Sequence, residues 1–332
     1  MPNGKITGIG FYVPDNVVTN DDLAKIIDTS DEWIRERSGI EQRRYFVKGK
    51  DTVSSMAGHA SKMALERANL DAQEIDCIIL ATITPNYTLP GSAVLLQREL
   101  GLCGKSVPSF DIRQSCSGFI YGLAMANDFI RSGSYKNIMV VGSEIQSTFL
   151  EMTDEHRNTA VLFADGSGAV VVQANEEDDM GILSTHLHSD GTYAENLMVE
   201  YPRSHNRKED MSNGVMGLNM DGRLVFKHAL QKFPAVINEA LEANGNSISD
   251  LDMLIPHQAN LRIAQAVQRI LEIPDEKVHN NIMKYGNTTA ASIPIALNEA
   301  WELGKVKEGD LICLAAFGSG FTWGSCLMKW AY

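Results

Sequence analysis

Three residues of the sequence have the types and settings that nucleophilic catalysis requires. The first, Cys116, follows a short apolar segment and precedes an amphipathic helical pattern, with the small residues Ser117 and Gly118 directly after it. Because the dipole and unpaired N–H groups of a helix N-terminus lower the pKa of a thiol, this setting predicts an exposed, reactive thiolate. The ordinary alternative is a small buried hydrophobic residue, which is the role of most lone cysteines.

His257 and Asn287 have settings that could place them beside such a nucleophile. His257 ends a strand-like apolar run, and the C-terminal ends of strands are where open α/β sheets form their sites. Asn287 stands in a Gly-Asn-Thr-Thr turn before an apolar helix, where a fixed amide could donate to a developing oxyanion. A locally bonded histidine and an N-cap asparagine are the commoner structural roles, and both stay open at this point.

The other cysteines and histidines give no metal or disulfide signal. None of the five cysteines belongs to a C-x-x-C pair, and their odd number fits no disulfide framework. His186 and His188 share one face of a strand pattern without an obvious third ligand, so we expect structural roles for them and no metal site. The Gly-rich segment 315–326 lacks the Lys-Ser/Thr of a phosphate loop.

Alternating strands and helices must hold these residues, because apolar runs of strand length alternate with helical patterns along the chain. The predicted strands are 77–83, 137–142, 252–256 and 310–316, and the predicted helices are 53–69, 224–244 and 259–271. Continuous apolar runs are typical of central strands covered on both faces. The alternation therefore predicts an α/β fold in layers.

The two halves of the chain also share sequence patterns. Segments 71–85 and 247–260 share a polar lead, an acidic residue and a buried strand, and segments 163–173 and 317–330 share a G-S-G turn that leads into a strand. Because the matches occur in the same order, we predict two duplicated halves, 1–174 and 175–332, with the acidic stretch 175–179 at the junction. The polar segment 190–222 is predicted to cross the surface near the site.

Composition excludes several classes of protein. The 332 residues include 44% hydrophobic and 21% charged residues, which excludes a disordered or fibrous chain. The net charge of −13 makes general nucleic-acid binding a poor fit. The sequence has no apolar run of the roughly 20 residues that a membrane span needs, and no signal peptide, so we expect a cytoplasmic protein with reduced thiols.

At these motifs the sequence resembles the β-ketoacyl-acyl-carrier-protein synthase III family of the thiolase superfamily. The matching segments, in family order, are 29–44, 111–123, 157–169, 256–266, 285–294 and 315–325. The resemblance implies a five-layered αβαβα fold of two similar halves and a homodimer. It also implies condensation of an acyl-CoA primer with malonyl-acyl-carrier protein, without metal or redox cofactor.

The resemblance assigns roles residue by residue. Cys116 corresponds to the acyl-accepting nucleophile, and His257 and Asn287 correspond to the pair that promotes decarboxylation. The other implied roles are an oxyanion hole from the N–H groups of Cys116 and Ser319, coenzyme A contacts at Thr29, Trp33, Arg37 and Arg157, an acyl pocket with Phe317 and, across the dimer, Leu89, and carrier-protein docking at Lys227, Arg262 and Arg269. Arg262 and Arg269, seven residues apart, also share one face of a predicted helix.

Three departures from the family pattern concern the primer and the loops around the nucleophile. Ser319 replaces a glycine, but its backbone N–H survives, so we expect a small effect. Arg113 and Gln114 replace small residues before the nucleophile, and Leu89 stands where Phe is common. Since Leu89 leaves more room than a ring, we predict a primer longer than acetyl.

Other functions remain to be separated from this one. A degradative thiolase would need a second cysteine in the Gly-rich loop, which reads Ala-Ala-Phe-Gly at 315–318. A specialised-metabolite ketosynthase or acyltransferase stays open because of residues 113 and 114. A papain-like hydrolase also uses Cys, His and Asn, but its local cysteine signature is missing. A non-catalytic acyl-binding protein would form no covalent acyl-cysteine.

Overall fold

The structure is a computed structural model that describes residues 2–175, 180–200, 202, 207–213 and 217–332. Of the acidic stretch predicted to join the two halves, residues 176–179 lie outside the described residues. So do residues 201, 203–206 and 214–216 of the predicted surface segment.

Strands and helices alternate along the described chain, as the sequence predicts. The strands are β1 (Asn3–Tyr12), β2 (Asn16–Thr19), β3 (Gln42–Tyr45), β4 (Cys77–Ala81), β5 (Ser109–Ile112), β6 (Asn137–Ile145), β7 (Asp165–Asn175), β8 (Gly181–Ser189), β9 (Leu197–Val199), β10 (Leu218–Met220), β11 (Met253–Pro256), β12 (Leu311–Gly318) and β13 (Thr322–Lys329). The α-helices are α1 (Asn20–Ala24), α2 (Asp31–Ser38), α3 (Val53–Arg67), α4 (Ser92–Glu99), α5 (Gly118–Arg131), α6 (Arg157–Ala160), α7 (Arg207–Asn213), α8 (Gly222–Ala243), α9 (Leu261–Leu271), α10 (Ile282–Tyr285) and α11 (Ser292–Glu302).

The predicted duplication is visible in the order of the strands. One sheet has the order β1-β7-β6-β4-β5 and the other has the order β8-β13-β12-β11. In both sheets the first two pairs are antiparallel and the third pair is parallel. The strands of the first sheet end by residue 175 and those of the second begin at residue 181. The domain bounds 1–174 and 175–332 themselves stay a prediction.

The elements stack in five layers, αβαβα. Helices α3 and α4 cover the outer face of the first sheet, and α8 and α9 cover the outer face of the second. Between the sheets lie α5 and α11, whose apolar side chains contact both. Neighbouring residues of β4 divide between two cores: Ile79 faces the central helices while Ile78 and Leu80 face α3 and α4. This alternation follows from the two-residue period of a strand and explains the continuous apolar runs.

Two glycines let each half approach the helix start of the other half. A side-chain carbon at Gly142, in β6, would lie 2.3 Å from the carbonyl oxygen of Ala290, just before α11. At the equivalent place in the second sheet, a side-chain carbon at Gly318 would lie 2.6 Å from Cβ of Cys116, just before α5. Such distances are too short for any larger residue. The two helix starts are therefore held against the ends of β6 and β12.

Local side-chain contacts move some predicted boundaries. The strand predicted at 77–83 ends at Ala81, because Thr82, Ile83 and Thr84 instead donate hydrogen bonds to the buried carboxylate of Glu144. The helix predicted from 259 begins at Leu261, since the side chain of Asn260 caps it. None of the described helices is both long and apolar enough to cross a membrane.

Candidate active site

The three predicted catalytic residues meet in one cavity between the two halves. The cavity has a volume of about 930 Å³, and Cys116, His257 and Asn287 all line it. Strands β9 and β10 of the segment 190–222 form part of its wall, through Leu197 and Met220 among others. The described part of the surface segment that the sequence placed near a site therefore borders the cavity.

Cys116 lies in a single 3₁₀ turn, Ser115–Ser117, between the end of β5 and the start of α5. Ser115 has a φ of 48°, in the left-handed region, which turns the chain sharply from the strand into the helix. The Ser117 hydroxyl donates to the carbonyl oxygen of Gln114 at 2.9 Å and fixes this turn. The cysteine side chain is only 7% exposed.

Two backbone N–H groups are directed at the sulfur of Cys116. They belong to Cys116 itself and to Ser319, and both lower the pKa of the thiol. The Ser319 hydroxyl is occupied, since it donates to the carbonyl oxygen of Leu197 in β9. The serine side chain therefore does not engage the backbone N–H of residue 319, which stays directed at the sulfur. Its hydroxyl adds a hydrogen bond between the Gly-rich loop and the cavity wall.

The prediction of an exposed cysteine with a lowered pKa is wrong for this structure. Burial, together with the nearby carboxylate of Glu144, raises the pKa of the Cys116 thiol to about 12. The reason is the position of the turn beneath Gly318, which removes the sulfur from water. The loss of hydration outweighs the two N–H groups, so the resting side chain is a thiol.

His257 is buried, and one of its two ring nitrogens has a hydrogen-bond partner. Its Nδ1 lies 2.6 Å from the hydroxyl oxygen of Ser292, which also accepts from the N–H of Gln258 at 3.3 Å. When the Ser292 hydroxyl donates its hydrogen to Nδ1 while accepting from that N–H, the ring hydrogen is on Nε2. Nε2 is buried without a hydrogen-bond partner. Burial lowers the pKa of His257 to about 3, and the ring is therefore neutral.

Asn287 is fixed through both its backbone and its side chain. Its N–H donates to the carbonyl oxygen of Leu162, and its carbonyl oxygen accepts from Ala164, both at 2.9 Å. Its Oδ1 accepts from the N–H of Thr289 at 2.9 Å. The side-chain amide nitrogen is thereby left as a donor at the cavity.

The proposed coenzyme A residues lie at one end of the cavity. The guanidinium carbons of Arg37 and Arg157 lie 4.3 and 4.9 Å from the centre of the Trp33 ring. Arg157 also donates to the carbonyl oxygen of Asp28 at 2.9 Å. Trp33 and Arg37 line the cavity, whereas Arg157 and Thr29 lie behind this lining, with the Thr29 hydroxyl buried and unpartnered.

The two residues expected in the acyl pocket have different places. Phe317 lines the cavity beside Phe233. Leu89 is 86% exposed and does not line the cavity of its own chain. A contribution of Leu89 to an acyl pocket would require a second chain, and this role stays a prediction.

The three basic residues expected to dock a carrier protein are exposed on two adjacent helices. Lys227 is in α8, and Arg262 and Arg269 are in α9, which packs on α8. Among the described residues none of the three forms an ion pair. Their charges are therefore available to an acidic partner.

Sequence reasoning missed several residues of the site. The structure adds Ser292 behind His257, and Asn158, Arg223 and Gln146 in the cavity lining. Arg223 had a weak signal as a basic residue in the first turn of α8. Ser292 had none, because its contact with His257 joins positions 35 residues apart.

No metal site accompanies these groups in the part of the chain that the structure describes, where no three His, Cys, Asp or Glu side chains could hold an ion. His186 and His188 have structural contacts instead. Both rings approach the carboxylate of Glu239, with nitrogen to oxygen distances of 3.4 and 2.7 Å, and so link β8 to α8.

A duplicated αβαβα fold with a cysteine, a neutral histidine and an asparagine between its halves defines the class of thiolase-like condensing enzymes. Residues 110–191 match the family model described as 3-oxoacyl-[acyl-carrier-protein] synthase III, and residues 241–330 match the model for its C-terminal part. The β-ketoacyl-[acyl-carrier-protein] synthase III of Xanthomonas campestris is 48% identical over 98% of both chains. This chain belongs to the 3-oxoacyl-[acyl-carrier-protein] synthase III family.

Solved structures agree with this assignment. The 3-oxoacyl-[acyl-carrier-protein] synthase III of Aquifex aeolicus superposes with a TM-score of 0.91 and is 46% identical, covering 98% of this chain and 100% of that one. The priming β-ketosynthase of the R1128 polyketide biosynthetic pathway has a TM-score of 0.92 and 32% identity, covering 99% of this chain and 96% of that one. The predicted family and thiolase-like fold are therefore confirmed.

Proposed function

We propose that this protein condenses an acyl-CoA primer with malonyl-acyl-carrier protein to give 3-oxoacyl-carrier protein, CO₂ and free CoA. One observation carries the proposal. The buried thiol of Cys116, the Nε2–H of His257 and the amide N–H of Asn287 line one cavity, and Trp33 and Arg37 stand at its end. These groups suffice for the chemistry, so metal and redox cofactors have no step in it.

In the first half-reaction, Cys116 attacks the thioester carbonyl of acyl-CoA. The N–H groups of Cys116 and Ser319 bind the oxyanion that forms on the carbonyl oxygen. The C–S bond to CoA then breaks, and the proton of the cysteine thiol ends on the thiol of CoA. Because the proton leaves with CoA, no net charge remains in the buried site. Trp33, with Arg37 and Arg157, holds the adenine ring, and Thr29 lies beside this contact.

In the second half-reaction, His257 and Asn287 act on the malonyl thioester. Loss of CO₂ leaves an electron pair on the α-carbon, and its charge is spread onto the thioester oxygen as an enolate. Nε2–H of His257 and Nδ2–H of Asn287 both donate to that oxygen. The α-carbon then attacks the acyl carbonyl on Cys116, the C–S bond of the acyl-cysteine breaks, and the departing thiolate takes up a proton from solvent to regenerate the thiol. A neutral histidine suits this role, because it donates a hydrogen bond without having to lose a proton.

The partners follow from the same assignment. Lys227, Arg262 and Arg269 bind the acidic carrier protein, against the background of a net charge of −13 that would otherwise repel it. The protein acts as a homodimer in the cytoplasm, away from membranes and nucleic acids. Leu89 of one chain closes the acyl pocket of the other, which favours a primer longer than acetyl.

A second candidate is a ketosynthase of specialised metabolism. It is favoured by the similarity to the priming β-ketosynthase of the R1128 polyketide biosynthetic pathway, and by the unusual Arg113 beside the nucleophile. The two candidates share both half-reactions and differ in primer and carrier protein. Condensation assays with fatty-acid and polyketide carrier proteins separate them.

Covalent trapping tests the first half-reaction. After incubation with acyl-CoA, intact-protein and peptide mass spectrometry should show one acyl adduct, on Cys116. Cys103→Ala, which removes the exposed cysteine, should still be acylated, and Cys116→Ala should not. An adduct that persists in Cys116→Ala would contradict the assignment of Cys116 as the acylated residue.

Decarboxylation tests the second half-reaction. His257→Ala and Asn287→Ala should still form acyl-Cys116, but each loses an enolate-stabilising donor. Release of CO₂ from malonyl-carrier protein should therefore fall by about 10²–10³. Normal decarboxylation together with loss of acylation would contradict this division of labour.

A further inference from the structure

Two hydrogen-bond donors line the cavity without a role in the chemistry above. Arg113 is exposed and forms no ion pair or side-chain hydrogen bond with any described residue. Gln146 is only 3% exposed, and its amide nitrogen is buried without a hydrogen-bond partner. The described chain supplies no hydrogen-bond partner for this nitrogen. Because an unbonded buried amide is destabilising, the Gln146 amide is suited to a partner from a bound ligand.

The sheet topology places these donors on one wall of the cavity. Gln146, Ile83 and Arg113 follow the C-terminal ends of β6, β4 and β5, which are adjacent parallel strands. Neighbouring strands lie about 4.8 Å apart, so Arg113 and Gln146 start within about 10 Å of each other, with Ile83 between them. Arg113 is also only three residues from Cys116. An acyl group on the cysteine is therefore within reach of this wall.

Arg113 and the segment that carries the proposed coenzyme A contacts adjoin different strands of the first sheet. The segment that carries Trp33 leads into β3, which packs against β7. Just after β3, the N–H of Phe46 donates to the carboxylate of Asp165 in β7 at 2.7 Å. β7 and β5 are three strands apart, or about 14 Å. Because Arg113 lies between β5 and the turn that carries Cys116, it is placed to meet the acyl chain.

No carboxylate of the described chain occupies Arg113. Glu144 is the next-to-last residue of β6, which β4 separates from β5. It accepts from the hydroxyls of Thr82 and Thr84 at 3.1 and 2.7 Å and from the N–H of Ile83 at 3.1 Å. It makes no ion pair with Arg113. The wall therefore presents an unpaired guanidinium and an unpaired amide on either side of an apolar residue.

We propose that the acyl pocket selects primers whose chain ends in a carboxylate, with Arg113 binding the carboxylate and Gln146 adding a hydrogen bond. An arginine has donors only, and its planar fork matches the two oxygens of a carboxylate. Ile83 contacts the methylenes between the thioester and that carboxylate. The primer class is thus a dicarboxylic acid joined to CoA through one end. This inference rests on the proposed acylation of Cys116.

The test compares matched pairs of acyl-CoAs in the loading of Cys116. Succinyl-, glutaryl- and adipyl-CoA are each paired with butyryl-, pentanoyl- and hexanoyl-CoA of the same carbon number, so that only the terminal group differs. The rate of acyl-Cys116 formation at limiting acyl-CoA is measured by mass spectrometry. We expect the carboxylated member to load faster at one or more lengths.

Variants locate the effect. Arg113→Met keeps the length of the side chain without its charge and should slow loading of the preferred carboxylated primer by about 10- to 100-fold. Its loading of the matched alkanoyl-CoA should not fall. Gln146→Leu should lower the same preference by about tenfold without lowering the thermal midpoint, because it removes an unpaired buried amide. Arg131→Met, on the exposed end of α5, is the matched control.

Two results would overturn the proposal: faster loading of the alkanoyl-CoA at all three lengths, or a preference that Arg113→Met leaves unchanged. A preference for hydroxyacyl-CoA over both members of every pair would also reject the carboxylate. Failure of the proposed function looks different. In that case no acyl-CoA labels Cys116, or labelled protein does not condense with malonyl-carrier protein.

Discussion

Removing the hydroxyl of Ser292 should weaken decarboxylation without affecting acylation. Ser292 is 2% exposed, and its oxygen lies 2.6 Å from Nδ1 of His257 and 3.3 Å from the backbone nitrogen of Gln258. In the proposed mechanism its hydroxyl donates to Nδ1 and so keeps the ring hydrogen on Nε2, where the enolate oxygen is proposed to bind. Ser292 touches no substrate in this scheme and is a positioning residue.

The size of the effect follows from the number of bonds lost. In Ser292→Ala, Nδ1 loses its donor, and the two ring tautomers then compete. One net hydrogen bond contributes about 0.5–1.5 kcal/mol, which corresponds to about a 2- to 13-fold decrease in the rate of decarboxylation. His257→Ala removes the donor itself and should cost about 10²–10³. The rate of decarboxylation by Ser292→Ala should therefore be well above that of His257→Ala.

The assay measures CO₂ release from malonyl-carrier protein and acyl-Cys116 formation in separate experiments. Ser292→Thr keeps the hydroxyl and should recover most of the loss. The matched control is Ser325→Ala, which removes a buried hydroxyl that donates to the carbonyl oxygen of Val236 at 2.8 Å. This control should lose stability to a similar extent and keep normal decarboxylation.

The pH profile of decarboxylation tests whether the ring of His257 acts in its neutral form. Since burial lowers the pKa of His257 to about 3, the ring stays neutral above that value. Decarboxylation by the wild-type protein should therefore be flat between about pH 5 and 8. A wild-type rate that falls as pH drops through 6, or a Ser292→Ala rate equal to that of wild type, would refute the reasoning.

Three further perturbations test the rest of the site. Gly318→Ala should slow acylation at least about tenfold, because its new carbon would lie 2.6 Å from Cβ of the nucleophile, whereas Gly191→Ala, with nothing within 4 Å, should be neutral. Arg262→Glu should raise the KM for malonyl-carrier protein about tenfold at low ionic strength and leave acyl-CoA loading intact. An unchanged KM, or an equal effect of Arg131→Glu, would show that the basic residues do not dock the carrier protein. Leu89→Phe should shift the preferred primer to shorter chains, by close to fourfold for each methylene at about 0.8 kcal/mol, and a wild-type preference for acetyl-CoA would contradict it.

Local patterns in the sequence predicted much of the fold. Continuous apolar runs identified central strands such as β4 and β6, and repeated segments in the same order predicted the duplicated halves. These predictions succeed because the period of a strand and the burial of both faces are recorded in neighbouring residues. The ends of elements depend on distant groups. Glu144, whose carboxylate accepts hydrogen bonds from residues 82–84 and so ends β4, is about 60 positions away along the chain.

The candidate catalytic residues were also recognisable in the sequence, since residue type and a turn before a helix or after a strand are local properties. Their electrostatic states were not. The helix start suggested a lowered pKa for Cys116, but the approach of Gly318 from the other half buries the sulfur and raises the pKa. Desolvation depends on everything that packs around a group, and no short segment records it.

The sequence by itself determined the family, the layered fold and the chemical types of the candidate catalytic groups. The tertiary structure decided the hydrogen-bond partner of His257, because Ser292 lies 35 residues away along the chain. It also decided that Leu89 lies outside the cavity of its own chain and that Arg113 and Gln146 share a wall. Proton positions, burial and pocket shape come from contacts between remote segments, and folding alone brings these together.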